Sequence, residues 1–598
     1  MGWIVLTVDR IINDFPRGIK LEKNSKKKYQ RKDLSSKKRT KKITTFFKKL
    51  SKIVLIISLI FLTIFSIRVL SDKLFYKCQK NMTSWECENL LPYISNNIFD
   101  KIEQLSILTG LIIFIFNLPE QQKRNHYEAW QLINSAEGQG GSGGRVQALQ
   151  DLNEDGVSLA GLTATKGDLS EIKLPNADLS RANFSGTNLS KSIFKYADLN
   201  QAKLIKAQLK DADLSQANLC YADLSYADLS YAKLVGANLT NTKLVGTNLT
   251  EADLSYADLT FADLSQAILN QTNLENAELS SINFQETYPS NTNFIGTNLS
   301  GVNLSHLTLN GVDFSGAIFF GTNLYQTKLC GANLSSATFH NISFQDVDLS
   351  GANFFAADLR DAILSNLILD MINFTQAKLN NAQLENSSLV DVELVEADLS
   401  GANLSHANLK GANLSHAKLS RANLSHANLK SANLRGVKFL NANLIEVNFS
   451  GANFKDAIID AQTQISEKWR LVWRIVNSQT KNQDFRNQDF SYANLRKVNL
   501  IGADLSNSNF THADLSGANL ENANLENTKL DNVSLSETNL QKVNFKGADF
   551  SGAYIRGANL EGAKFIGAIN LVPKQITRNN NWEKAIYDKS FAELLGLS

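Results

Sequence analysis

A chain of 598 residues is too long for one ordinary hydrophobic core, which leaves several domains or a repeat array. Its 61 Lys and Arg nearly cancel its 58 Asp and Glu, but the total hides a polarity. Residues 1–52 hold 17 basic against 4 acidic side chains, residues 53–130 balance at 7 and 7, and residues 131–598 hold 37 against 47, which excludes a uniformly basic or uniformly acidic chain.

Residues 1–52 read as a basic cytoplasmic segment. Behind Lys48, Lys49 and Lys52 lie about 15 uncharged residues, Ile53 to Ile67, and with Val69 and Leu70 the run approaches the ~20 residues that a membrane-spanning helix needs. The stretch from Leu105 to Pro119 is a second candidate span, with a buried or re-entrant segment as the alternative. Basic residues beside a first span stay cytoplasmic and are attracted to anionic lipid. That explains "SKKRTKKITTFFKK" better than nucleic-acid binding or a disordered tail does. A cleavable signal fits poorly, because its charged region would be some 50 residues long and no small-residue cleavage site follows. The expected arrangement is a transmembrane hairpin, 53–119, in contact with membrane lipid, with the loop 71–104 outside. In that loop Cys78 and Cys87 could close a short disulfide in an oxidising compartment, and two free thiols are the alternative.

Residues 120–156 are expected to form a helical and Gly-rich linker. Gly138, Gly140 and Gly143 satisfy G-x-G-x-x-G, yet no βαβ unit surrounds them. "DLNEDG", with Asp151, Asn153, Asp155 and Gly156, copies half a calcium loop, but Leu162 stands where a bidentate Glu is required. An Asp-Gly turn leading from a short helix into the following segment is the better reading.

From Leu169 to Phe454 a large apolar residue returns every five positions, giving 58 centres, all Leu or Phe except Pro289. In "GANLSHANLKGANLSH" the centres are Leu404, Leu409 and Leu414, and Ala402, Ala407 and Ala412 precede them by two. A period of five matches neither helix nor strand. One large and one small inward residue per pentad, sustained this long, implies a solenoid in which each repeat packs on its neighbours. Pro289 lacks a backbone N–H and fixes φ, so its coil should be distorted or lack a ladder bond.

The unit A(D/N)(L/F)xx resembles the pentapeptide-repeat family. That resemblance implies an all-β solenoid, a right-handed quadrilateral β-helix with four pentads per coil. The long run, 157–459, then makes about 14 coils and a rod of roughly 70 Å. The segment between the second apolar stretch and the repeats also resembles membrane-tethered members of the family common in cyanobacteria.

The array breaks once. After Phe454 the repeat resumes at Phe485, 31 residues later and one residue out of phase, and runs through 17 centres to Phe565. The two exits share spacing: Phe454, Ala457, Ile458, Gln464 and Ile465 match Phe565, Ala568, Ile569, Gln575 and Ile576, with Trp469 and Trp582 following. Ile465, Trp469, Val472, Trp473 and Val476 fall on one helical face. The expectation is a helical cap at 460–482, a short β-helix at 483–570 and a second cap of the same kind at 571–598.

Chemistry is scarce. His406 and His426 stand 20 residues apart and should stack on a four-sided coil, with His416 on the opposite side; two imidazoles without a third ligand make a poor metal site. The Asp residues before the centres follow the repeat and form no isolated acid–base pair. Tyr221, Tyr226 and Tyr231 fall on successive sides. Cys220 and Cys330 occupy ordinary variable positions. No catalytic, cofactor-binding or metal residue emerges, no cofactor is implied, and the chain reads as a non-enzymatic membrane-tethered scaffold with its repeats cytoplasmic and a protein as partner. The alternatives are regulation of a membrane transport complex through the hairpin, and nucleic-acid mimicry. Mimicry in this family uses strongly acidic rods, for which net −10 over residues 131–598 is dilute, so no nucleic-acid partner is expected.

Overall fold

The computed structural model describes residues 120–135, 144–478 and 480–597, together with single helical positions between 62 and 76 and between 107 and 118. The chain divides into two units, Met1–Tyr127 and Glu128–Ser598. In the first, Leu62, Phe65 and Val69 are helical and exposed, as are Ile107, Leu111, Phe114 and Leu118. Among the described residues no helix is long and apolar enough to cross a membrane. The expected spans lie almost wholly outside the described residues, as do Cys78, Cys87 and the glycines at 138, 140 and 143.

The second unit is built on the five-residue period. Parallel bridges join residues 20 apart, from Thr163 with Asn183 to Lys438 with Ile458, so one coil is four pentads and the rod has four sides. The pentad 402–406 shows why the sequence folds this way. Its Ala402 N–H donates to the Leu399 carbonyl within the coil, at 3.0 Å. Asn403 N–H reaches back one coil to Ala382 O at 2.9 Å, while Leu404 and His406 N–H reach forward to Asn423 O and Ser425 O at 2.7 and 2.9 Å. The fifth donor, Ser405 N–H, has no carbonyl; it donates to the side-chain Oδ1 of Asn403 at 3.3 Å. The Asp or Asn before each centre is therefore an Asx turn that completes the backbone accounting.

The corner residue, two after the centre, is left-handed at every pentad from Lys166 to Asp456, for example His406 at φ 59° and Gly411 at φ 71°. That conformation belongs to the third residue of a type II turn and favours Gly and Asn. It turns the chain by one side of the square and points the corner side chain outward.

Leu404, Leu409, Leu414, Ala402 and Ala407 are all buried in one continuous core. Each fully buried centre contributes about 1.5–3 kcal/mol toward the roughly 5–10 kcal/mol of backbone entropy lost in ordering its pentad, and the small inward residue and the ladder hydrogen bonds add to it. Phe centres stack on the coil above, as Phe319 does on Phe339 with ring centroids 4.4 Å apart. Where Thr replaces the small Ala, its hydroxyl is satisfied by the coil below, Thr242 Oγ1 donating to Leu219 O at 2.8 Å. Around Pro289 no bridge joins Asn283 to Asn303 or Tyr288 to Thr308, and the same gap recurs between Asn323 and Ser343 and between Asp348 and Ile368, where no proline stands.

The helix Arg145–Glu154 covers the start of the rod, with Leu149 and Leu152 buried against it. Asp155 and Gly156 turn the chain from this helix into the first coil, Gly156 at φ 72°. The calcium-like residues are thus spent on a helix end.

At the register break a two-residue strand, Gln464–Ile465, still pairs with Asn443–Leu444. The helix Glu467–Asn477 follows and buries Trp469, Val472 and Ile475. Trp469 packs on Phe449 and Phe454 at 5.8 and 6.4 Å between ring centroids, and Trp473 Nε1 donates to Ala457 O at 2.7 Å. The expectation of two separately terminated rods is corrected here. Gly451 N–H donates to Tyr492 O at 2.8 Å, Lys468 Nζ lies 2.8 Å from Asp489, and the Arg474 guanidinium lies over the Phe485 ring. The helix is packed between the two runs, and one apolar core continues through both. The physical reason is that the ladder edge at Gly451 still has a free donor, which the new register can use.

The second exit also departs from expectation. Pro573, where the first exit has Gln462, opens the short helix Pro573–Ile576, so the residues matching the paired strand Gln464–Ile465 turn instead of pairing. Trp582 begins a 3₁₀ turn and is only partly buried, and it is Tyr587 that stacks on Phe565, with centroids 5.4 Å apart. The exits do share one device. Asn477 Oδ1 accepts from Asp456 N–H at 2.6 Å and Asp588 Oδ2 from Gly567 N–H at 2.7 Å, each a side chain standing in for the missing next coil.

Candidate functional site

The surface that the fold offers is its four sides. Each is a column of the residues before the centres, stacked 20 apart. Between residues 403 and 453 three sides are amide ladders. Asn443 Nδ2 donates to Asn423 Oδ1 at 2.9 Å, Asn428 to Asn408 at 2.9 Å and Asn433 to Asn413 at 3.0 Å. The fourth side runs through Asp398, Lys418, Lys438 and Ile458, with Lys418 Nζ 3.4 Å from Asp398 Oδ2. These rows form hydrogen-bonded strips along the rod. A shallow hollow among the described residues is lined by Glu128, Gln131, Leu132 and Ser135 and lies off the repeats.

Two of the carboxylates on the sides, Asp398 and Asp484, are held ionised by their neighbours. Burial pulls Asp398 upward, but hydrogen bonds from Ser400 and from Lys418 outweigh it and leave its carboxyl below the ordinary range. The Arg486 side chain holds Asp484 down to about 2. Acids so stabilised as anions are poor proton donors near neutrality.

His406 and His426 stack as the spacing implied, with ring centroids 4.7 Å apart and planes 3° from parallel. The same column brings Glu446 to His426, its Oε2 2.9 Å from Nδ1. Counting a further 20 residues would have found Glu446 from the sequence. Among the described residues no group of three or more His, Cys, Asp or Glu is arranged to hold a metal ion. Tyr221, Tyr226 and Tyr231 occupy three successive corners and are exposed. Cys220 is half-buried and Cys330 exposed, and neither is in a disulfide. Trp469, Trp473 and Phe454 meet at the junction between the two runs, whereas Trp582 is at the far end of the chain, away from them in sequence and in role.

Residues 168–335, 397–459 and 489–569 match the family described as pentapeptide repeats, and residues 317–413 match a pentapeptide repeat region. Among solved structures, HetL, a pentapeptide repeat protein involved in heterocyst differentiation regulation in Nostoc sp. strain PCC 7120, is 26% identical over 52% of this chain and 93% of its own, with a TM-score of 0.16. Rfr23 of Cyanothece 51142 is 25% identical over 29% of this chain and 89% of its own, TM-score 0.11. A pentapeptide repeat protein of the Arabidopsis thaliana thylakoid lumen is 26% identical over 24% and 71%, TM-score 0.12. No curated protein matches the chain.

Proposed function

Because the chain belongs to the pentapeptide repeat family, whose members form right-handed β-helices, we propose that it is a non-enzymatic scaffold, tethered to a membrane through residues 53–119, that presents its β-helix to a protein partner on the cytoplasmic side. The observation that carries this reading is the run of laddered sides. Such surfaces give a partner a long rigid contact and give a substrate no enclosure.

The tether draws its support from the basic residues 1–52 and from the exposed apolar helical positions Leu62, Phe65, Val69, Ile107, Leu111, Phe114 and Leu118. Apolar side chains spaced along a helix and left facing outward are stable where lipid covers them. Nucleic-acid mimicry is disfavoured by residues 401–456, which carry seven Lys or Arg against two Asp or Glu.

Cys330, exposed on the rod, supplies the test. In right-side-out vesicles it should react with a membrane-impermeant maleimide only after permeabilisation, and the protein should stay in the membrane pellet through alkaline extraction. Labelling of Cys330 in sealed vesicles would place the repeats outside, and release by alkali would remove the tether.

A further inference from the structure

Charge is distributed unevenly along the long β-helix. Residues 341–398 carry ten Asp or Glu against two Lys or Arg, and residues 401–456 carry seven Lys or Arg against two Asp or Glu. The acidic and basic stretches abut, and each extends over nearly three coils, ~14 Å at a strand-like rise of ~4.8 Å.

The 20-residue register assigns each charge to a side. Lys418 and Lys438 stand on the side that runs through Asp398. Arg435 and Lys455 sit at the corner between that side and the Asn413 ladder, and Lys410 and Lys430 at the far edge of the same ladder. Arg421 closes the opposite edge. All seven cations therefore occupy two adjacent sides with their bounding corners, and all are exposed. The other two sides carry no Lys or Arg in this stretch. One turn below, the same two sides and corners bear Asp391, Glu393, Glu396 and Asp398. Internal pairing takes up little of this charge. Lys418 meets Asp398 at 3.4 Å and Arg435 meets Asp456 at 3.3 Å, while Lys410, Arg421, Lys430, Lys438 and Lys455 have no ion-pair partner among the described residues.

We infer that a second copy of this chain docks along the corner shared by these two sides, antiparallel, about a two-fold axis that lies between the copies, perpendicular to both rods at the level of Ser400. The acidic stretch of each copy then faces the basic stretch of the other. A simple polyanion would satisfy the basic half and be repelled by the acidic half directly beside it. A partner that satisfies both must carry the same split in reverse order along the contact, and this chain turned end for end does. The two contacts are identical by symmetry, as an isologous interface requires. Straight rods can approach along their length at that corner, and the charge pattern sets their register. The inference concerns the rod alone and does not depend on the membrane tether.

Sedimentation of the full chain in non-ionic detergent tests it, with three forms compared. The first is the unmodified protein. The second carries Lys410→Glu, Lys430→Glu and Lys438→Glu, which takes residues 401–456 from net +5 to −1, and the third carries Asp391→Lys, Glu393→Lys and Glu396→Lys, which takes the facing turn, residues 391–398, from net −4 to +2. The unmodified protein should pair at low salt and weaken about tenfold or more between about 50 and 500 mM salt, where screening shortens from roughly 14 to 4 Å. Each triple variant alone should be monomeric with an unchanged circular dichroism spectrum, and an equimolar mixture of the two should pair again. A monomeric unmodified protein at low salt would overturn the inference, as would triple variants that associate like the unmodified chain or a mixture that fails to pair. A monomer that binds heparin would assign the basic half to a polyanion instead.

Discussion

Replacing Leu409 by Asp is expected to unfold the coils that contact it while leaving those at the far ends of the rod folded. Leu409 is fully buried, with its N–H bonded to Asn428 O one coil on at 2.8 Å. Truncating such a side chain to Ala costs about 2–5 kcal/mol. An Asp there adds the cost of a charge with no partner in an apolar column. In a compact globule that sum would threaten the whole molecule. In a solenoid each coil touches only its neighbours, so the damage should spread a limited distance. Hydrogen exchange should show protection lost for residues around 389–429 and kept for residues 505–545. Uniform loss across both runs would mean that the rod unfolds as a single unit.

Trp469→Ala should separate the two runs. The indole lies between Phe449 and Phe454 of the long run, on the helix whose Lys468 and Arg474 reach the short one. Removing a buried aromatic side chain costs about 3–5 kcal/mol. That loss falls on the junction and not on either ladder. Thermal unfolding should therefore divide into two transitions, the shorter run melting first because it has fewer coils. Trp473→Phe is the control. It loses chiefly the hydrogen bond to Ala457 O, about 1 kcal/mol, and should keep one transition. Equal, undivided shifts in both variants would show that the helix is a surface insertion.

The parts of this fold that were legible are those written in periodicity. The inward Leu and Ala positions, the stacking of His406 on His426 and the register change after Phe454 all follow from counting fives and twenties. What escaped depends on where backbone donors point. The Asx role of Asn403 is set by the direction of Ser405 N–H, which no period reveals. The left-handed corners had a sequence signal, Gly and Asn recurring two residues after the centre, but His, Tyr and Lys at the same position masked it. The two exits looked alike because their apolar residues align; Pro573 against Gln462 separates them, since a proline at a helix start sets φ and needs no N–H partner. The charge split at residue 400 was hidden by averaging over the whole rod.

Every functional reading above rests on coils of 20 residues that place equivalent positions directly over one another. A cysteine pair reads this out. Asn408 and Asn428 are bridged neighbours on one side, at the spacing of adjacent parallel strands, which falls inside the 4.4–6.8 Å Cα range of a disulfide. With Cys78, Cys87, Cys220 and Cys330 replaced by Ser, Asn408→Cys combined with Asn428→Cys should form an intramolecular disulfide under mild oxidation, and Asn408→Cys combined with Asn423→Cys or Asn433→Cys should not. Cross-linking of the 15- or 25-residue pairs as readily as the 20-residue pair would contradict the four-sided rod.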